Sequence, residues 1–470
     1  MLFLDRKAEL GRLDALIRGP EGRLAVLYGR RRVGKTRLLL EWTERHRGLY
    51  TVADQSAPEV QRRYFAAAVA QVFSGFADVE YPDWAALLTR LAREARGTKW
   101  RGPLVIDELP YLALGSPELA SVLQRWIDHD ARQARLRVAL AGSSQRMMQG
   151  LVLSSSSPLY GRAQALFEVR PLPATQLRHA FQGRSPVQMC ELYAAWGGIP
   201  RYWELAREAA REAIDQIDRL ALDPLGPLHA EPDRLLLEEL PPAVELRPIL
   251  DAIGLGAHRV TEIAGRIGRQ ATSLSRPLHR LQEMGLVRRE TPFGESEGQS
   301  KRSLYKLDDS FVRLWFRVVA PHRARLTTST EAQRLALLRG HWPGLVATAF
   351  EDLCRTLLTE LGSKSALGRL GPWQAGRRWW QGNLPEWDLV SRAEAKERLL
   401  VGEVKWSAKP FDSKEIVRLA HGVAKKPLPL WHSSDGRCDV VRALFVSAAP
   451  QGQPRSVDGV HVVTAADLLA

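Results

Sequence analysis

One octapeptide, Gly29-Arg30-Arg31-Arg32-Val33-Gly34-Lys35-Thr36, constrains this chain more than any other feature. It follows the apolar run Leu24-Ala25-Val26-Leu27-Tyr28 and precedes an amphipathic stretch over residues 37–46. A glycine-rich loop between a strand and a helix lets backbone N–H groups close around a phosphate, and the helix N-terminus adds partial positive charge. In the pattern G-x-x-x-x-G-K-[ST], the lysine (Lys35) reaches the β- and γ-phosphates and the hydroxyl (Thr36) ligates Mg²⁺. The expected ligands are therefore ATP and Mg²⁺. A chance glycine-rich turn has the same composition but lacks this strand-before, helix-after setting.

A second segment supports the first. Pro103-Leu104-Val105-Ile106-Asp107-Glu108 reads as an apolar strand ending in two acids. Asp107 would hold Mg²⁺ through water, and Glu108 would act catalytically by polarising the attacking water. An acidic strand end by itself is usually a solvated turn; its pairing with the phosphate loop gives it this meaning. A third strand over 136–141 runs into Gly142-Ser143-Ser144, where Ser143 or Ser144 is a candidate γ-phosphate sensor or a plain turn former. Arg162 is a candidate arginine finger or sensor, and an ordinary surface arginine fits it equally well.

These strands alternate with amphipathic stretches at 37–46 and 117–133, which predicts a mainly parallel sheet covered by helices. Residues 205–222 are purely helical in pattern, and the joint Asp223-Pro224-Leu225-Gly226-Pro227, with a second proline cluster at 240–242, marks a boundary. The expectation is an α/β P-loop NTPase domain with a helical subdomain over 1–222. A chain of 470 residues has room for roughly three domains.

Composition narrows the setting. A net charge of +14 favours a polyanionic partner, DNA or RNA, although charge alone is weak evidence. No apolar run approaches the roughly 18 residues of a membrane span, and the start Met1-Leu2-Phe3-Leu4-Asp5-Arg6 meets charge before any signal-like stretch develops. Cys190, Cys354 and Cys438 are too far apart for a CxxC pair, so a reducing, cytoplasmic setting is expected. Residues 154–157 are a serine run of the kind found in flexible loops.

Phe3-Leu4-Asp5-Arg6, Glu9-Leu10 and the run from Tyr28 to Thr36 together resemble the archaeal-type ATPase family, a branch of the STAND and AAA+-related P-loop proteins. Trp196-Gly197-Gly198-Ile199-Pro200-Arg201-Tyr202 is similar to the G-x-P motif of that group, on Gly198 and Pro200. The resemblance implies that Pro200 packs near the adenine and reports nucleotide state, and that the 3–10 box borders the base.

Residues 223–325 have the spacing of a winged helix-turn-helix. Helical segments at 249–253, 260–264 and 273–284 are followed by Gly285-Leu286-Val287, a tip over 293–302, and a return strand at 304–307. The third helix carries Arg276, His279 and Arg280 around a seam of Leu274, Leu278 and Leu281, with Arg269 in the turn before it; Pro277 requires that helix to begin near Ser275. Such a helix enters a major groove while the wing, here with Lys301 and Arg302, touches backbone. Ten Lys/Arg against five Asp/Glu between Ala257 and Lys306 favour a DNA-facing surface. In this ATPase class the same fold also serves as an internal lid, so both readings stand.

Residues 326–470 hold a second chemical set. Glu351 begins a helical stretch, Pro385-Glu386-Trp387-Asp388 opens a strand, and Glu403-Val404-Lys405 lies on another. Strand alternation puts Glu403 and Lys405 on one face. Asp388 and Glu403, with Glu351 completing the shell, would hold Mg²⁺ at a phosphodiester while Lys405 orients or deprotonates water. This resembles the PD-(D/E)xK nuclease fold, a restriction-endonuclease-like α/β domain that the ATPase family often carries; Arg378-Trp379-Trp380 and Trp406 agree with it. Pro385 stands two residues further from Asp388 than the family name implies, and D…ExK is also a common pattern on solvated strands. Two functions follow: an ATP-gated DNA-processing enzyme that cuts, or a non-cutting nucleotide-controlled regulator. A homo-oligomer or protein partner is compatible with either.

Overall fold

The computed structural model describes residues 3–19, 21–239, 246–296, 298, 300–362, 365–393, 398–429 and 439–469. Cys438 and the 240–242 proline cluster lie outside them. The chain divides into two compact units, one of residues 1–172 with 199–201, the other of 173–198 with 202–470.

The first unit is built on five strands: β1 (Arg23–Tyr28), β2 (Leu49–Val52), β3 (Pro103–Asp107), β4 (Arg137–Gly142) and β5 (Ala165–Glu168), in the order β2-β3-β4-β1-β5. Every pairing is parallel, as the alternation of strands and helices predicted. All residues of β3 and β4 are buried, the pattern of a sheet covered on both faces. Leu24, Val26, Ile106 and Leu140 meet Phe65, Trp84, Leu87 and Trp126 from the helices on one face in a continuous core. Because the strands are parallel, their carboxyl ends gather on one edge. Tyr28, Asp107 and Gly142 all end there, so the loops that follow them are neighbours.

In the second unit the helix Pro186–Trp196 belongs with the later residues, where sequence grouped it with the sheet. Its Trp196 stacks on Phe311 at 5.7 Å between centroids and donates its indole N–H to Gln216. Further along the chain come the helices Arg247–Gly254, Val260–Ile267 and Ser275–Glu283, the last starting at the residue that Pro277 requires. They lead into the antiparallel ribbon β6 (Val287–Glu290) and β7 (Leu304–Leu307). After the long helix Glu331–Leu357 comes a six-stranded mixed sheet: β8 (Arg377–Trp379), β9 (Trp387–Arg392), β10 (Arg398–Lys405), β11 (Asp439–Val446), β12 (Ser456–Val457) and β13 (Val460–Thr464). β8, β9 and β10 are antiparallel; β10, β11 and β13 are parallel, with the helix Ser413–Lys425 between β10 and β11.

The ribbon does not stand free. Phe293 at its tip is buried with Trp379, Trp387 and Val390 in the core of the large sheet, and its N–H donates to Arg378 O at 2.8 Å. Arg377 donates to Thr291 O at 3.1 Å, and Arg302 is engaged by Glu295 and Trp380 O. The tip thus covers the open edge at β8. The guanidinium of Arg302, expected at a DNA backbone, thus has partners within the protein while staying part-exposed, and Lys301 is exposed.

Beneath the ribbon lies a buried charge cluster. Asp352 accepts from Arg288 (2.6 Å), Arg313 (2.8 Å) and Arg355 (3.2 Å). Burial alone would raise its pKa, and the three guanidinium groups outweigh that to hold it far below the usual carboxylate range. Neighbouring Glu290, paired with Lys306 at 3.0 Å, is likewise held down to about 2: burial raises it, and Lys306, Arg288 and Arg355 lower it by more.

Candidate functional site

The loop after β1 has the conformation a phosphate cradle needs. Gly34 sits at φ 96° just before the helix Lys35–Arg45, in the left-handed region that glycine tolerates. Gly29 is as constrained, because a Cβ there would lie 2.4 Å from Val169 O. Arg30, Arg31, Arg32 and Val33 form the body of the loop. Lys35 is nearly buried, and its ammonium donates back to Gly29 O (2.7 Å) and Arg30 O (3.0 Å) across the loop mouth.

Thr36 and Asp107 meet as their motifs predict. The Thr36 hydroxyl donates to Asp107 Oδ2 at 2.7 Å. Tyr50 on β2, which sequence reading did not single out, donates to the same oxygen at 2.8 Å, while Oδ1 accepts the Glu108 N–H at 2.9 Å. Burial, and then the Asp107 charge, push the Tyr50 hydroxyl pKa well above the tyrosine range, so it stays a donor. The carboxylate is thereby oriented by three donors. A hydroxyl and a carboxylate side by side are a hard-oxygen pair suited to Mg²⁺.

Glu108 has φ 54°, an uncommon conformation for a residue with a Cβ. Ser143 holds its side chain: the backbone N–H and the hydroxyl both donate to Oε2, at 3.1 and 2.8 Å. Among the described residues Oε1 takes no hydrogen bond. Ser143 therefore stands where a sensor residue would, at the carboxyl end of β4, next to the acid expected to polarise water.

Arg6 was legible only as part of the 3–10 box. It is 5% exposed and donates at 2.7 Å both to Val33 O in the phosphate loop and to Arg170 O beyond β5. Pro200 is also at the loop, its ring 3.7 Å from the place of a Gly34 Cβ. Arg162 is a correction. It pairs with Asp128 at 3.0 Å and lines a polar cavity with Arg23 and Leu24, at the amino ends of the strands. Since it precedes β5, it is a strand length away from the phosphate loop of its own chain.

In the second unit, Asp388 and Glu403 do come together. β9 and β10 pair with Gly402 opposite Leu389, which brings the two acids side by side. Asp388 Oδ2 accepts the Val404 N–H at 3.0 Å. Lys405 lies 3.0 Å from Glu403 Oε2 and 4.0 Å from Asp388 Oδ2. Burial would lower the Lys405 pKa, but Glu403 and then Asp388 raise it overall, so the side chain is held as a cation beside the two acids. Lys426, unforeseen, takes the other oxygen of Glu403 and lies 4.7 Å above the Trp387 ring. Glu351 lies near enough for its charge to act on Lys405, but its carboxylate pairs with Arg355 at 2.7 Å, and among the described residues no three acidic, histidine or cysteine side chains form a metal-holding group. The helix places Arg355 one turn after Glu351, which takes up that carboxylate. Arg355 also donates to Asp388 O at 2.8 Å.

No helix among the described residues is long and apolar enough to cross a membrane.

Comparison with known proteins agrees with the geometry of the first unit. Residues 3–206 match a family described as an ATPase domain predominantly from Archaea, and residues 315–417 match a family of archaeal and bacterial proteins of unknown function. The chain is 29% identical over 425 residues to an uncharacterized protein of Methanocaldococcus jannaschii, covering 89% of this chain and 90% of that one. A Walker-type ATPase of Pyrococcus abyssi shares the fold at TM-score 0.52 and 20% identity, over 67% of this chain and 96% of its own. Residues 3–206 are thus similar to an ATPase domain predominantly from Archaea, and the chain shares its fold with a Walker-type ATPase.

Proposed function

We propose that the chain binds ATP on Gly29 to Thr36 and hydrolyses it with Glu108 as the water-polarising base. One observation carries this reading: Thr36 and Asp107 lie in contact at 2.7 Å, with Glu108 beside them and one of its oxygens unengaged among the described residues. Thr36 and Asp107 would hold Mg²⁺, which when bound draws charge from the phosphates. Lys35 would leave its carbonyl partners for the β- and γ-phosphates. Water attacks the γ-phosphorus, the bond to the bridging oxygen breaks, and the proton goes to Glu108 Oε1. Ser143 keeps that carboxylate aimed, and Tyr50 keeps Asp107 aimed. The test is Mg²⁺-dependent phosphate release from ATP by the purified chain and by Asp107→Asn. Equal release by both would remove the assignment.

A second reading concerns the second unit: a winged helix that binds DNA, and a nuclease-like site at Asp388, Glu403 and Lys405. Its support is the convergence of those three side chains on adjacent strands. Asp388 and Glu403 are the pair that would hold a divalent ion, with Lys405 orienting water. The occupation of both Glu403 oxygens by Lys405 and Lys426 supports the non-cutting alternative, a nucleotide-controlled regulator or adaptor whose nuclease-like domain binds DNA or protein without cutting. Supercoiled-DNA nicking separates the two.

A further inference from the structure

β2, β3 and β4 are entered through the same kind of turn. Two residues beyond the helix Lys35–Arg45, the helix Trp84–Gly97 and the helical stretch over 119–133, the backbone is left-handed, at Arg47 (φ 51°), Lys99 (φ 55°) and Arg135 (φ 57°). The next N–H then reaches back five residues: Gly48 to Thr43 O at 2.7 Å, Trp100 to Ala95 O at 2.9 Å, and Leu136 to Ala131 O at 2.9 Å. Glycine usually closes such a turn, because a Cβ is strained there. All three positions hold a cation instead. A cation near a helix C-terminus is favourable, but that alone does not call for it at the strained residue.

Three arginines stand beside them. Arg101 lies two residues before β3, Arg137 opens β4, and Arg23 opens β1 in register with Arg137. The strands are parallel and run in the order β2-β3-β4-β1, so these six cations share one edge of the sheet, opposite the phosphate loop. Of the acids nearest in sequence, Glu21, Asp128 and Glu94 pair with Arg132, Arg162 and Arg90, and Glu44 and Asp130 pair with none of the six. Arg137 is 5% exposed and held by the carbonyl oxygens of Arg135 and Gly19, each at 2.8 Å, which do not neutralise it. Burial first, and then the charges of Arg101, Arg135 and Arg23, lower its pKa. Arg47, Lys99, Arg101 and Arg135 are exposed.

We propose that this edge of the first unit binds the phosphate backbone of duplex DNA through Arg47, Lys99, Arg101 and Arg135. Phosphate supplies the counter-charge that the cluster lacks, and guanidinium groups meet its oxygens in pairs. Four neighbouring strands set the row at about 14 Å, the rise of roughly four base pairs. DNA is favoured over an acidic membrane, because none of the exposed large apolar side chains among the described residues lies in these four strand entries. The reading stands apart from the winged helix, which belongs to the second unit.

The test is fluorescence anisotropy of a short labelled duplex of mixed sequence, titrated with the full-length protein over a range of salt. Arg47→Gly, Lys99→Gly and Arg135→Gly, combined, remove three charges and three strained backbones together. That variant should unfold at or above the wild-type midpoint, while its slope of log affinity against log salt falls by about two to three. Arg12→Ala, Arg37→Ala and Arg63→Ala, combined, remove three exposed arginines elsewhere in the unit and should leave the slope unchanged. Arg276→Ala, measured alongside, reports the winged helix separately, so either contact can fail without the other. The proposal is overturned if wild type binds no DNA, if its binding ignores salt, if the glycine variant keeps the wild-type slope, or if the control falls as far. Weaker binding of the glycine variant to acidic phospholipid vesicles, with the DNA slope unmoved, would assign the edge to a membrane and overturn it too. If the glycine variant unfolds below wild type, Arg101→Ala decides, with an expected fall in slope of about one.

Discussion

Ser143, just after β4, gives both its backbone N–H and its hydroxyl to a single oxygen of Glu108, the acid just after the neighbouring strand β3, at 3.1 and 2.8 Å. Two adjacent parallel strands thereby meet at the acid proposed to polarise water, a residue whose backbone is left-handed at φ 54°. If the pairing aims the carboxylate, Ser143→Ala should bind ATP as wild type does and turn it over about tenfold more slowly, as expected for a misdirected catalytic group. Equal kcat values measured by phosphate release would make Ser143 a turn former only.

The Asp352 cluster gives a prediction about stability. Replacing Asp352 by Asn removes the one carboxylate shared by Arg288, Arg313 and Arg355, and leaves Arg288 to Glu290 and Asp308 and Arg355 to Glu351, which should cost about 3 kcal/mol in denaturant unfolding. An undiminished midpoint would show that the guanidinium groups find other partners.

Glu290 links the same cluster to pH. Its pKa is lower in the folded protein, about 2 against an ordinary 4.5, so its contribution is complete above about pH 4.5 and is lost as pH falls toward 2. The size of that contribution is on the order of 3 kcal/mol. Acid unfolding of Glu290→Gln should show a shallower dependence over this window than wild type. Parallel curves would contradict the assignment.

If the helix Ser275–Glu283 meets DNA, the exposed Arg276 should matter and the committed Arg302 should not. Arg276→Ala should reduce the slope of log affinity against log salt by about one, with Arg302→Ala leaving it unchanged. A slope unmoved by Arg276→Ala, or no salt dependence at all, favours the internal-lid role.

How much of this was legible in the sequence depended on whether the signal was local. Gly29 to Thr36 and the Asp107-Glu108 strand end are contiguous motifs with fixed spacing, and the parallel sheet that joins them follows from strand–helix alternation. Asp388, Glu403 and Lys405 were readable because period-two alternation sets which side chains share a face. Tyr50, Arg6 and Lys426 act across the fold, at sequence distances of 57, 27 and 23 residues from Asp107, Val33 and Glu403, and no spacing rule points to them. Arg162 was misplaced because the edge of the sheet it occupies depends on where the chain re-enters at Ala165. Glu351 was assigned by its residue type, and Arg355 one helical turn later claimed it.

The account rests on ATP chemistry at the first unit, and paired variants test it most directly. ATP affinity and steady-state turnover would be measured for wild type, Lys35→Ala and Glu108→Gln with Mg²⁺ present. Lys35→Ala should lose phosphate-anchored binding, whereas Glu108→Gln should retain ATP at wild-type affinity and stall hydrolysis. Unchanged turnover in both variants would contradict the assignment of this site.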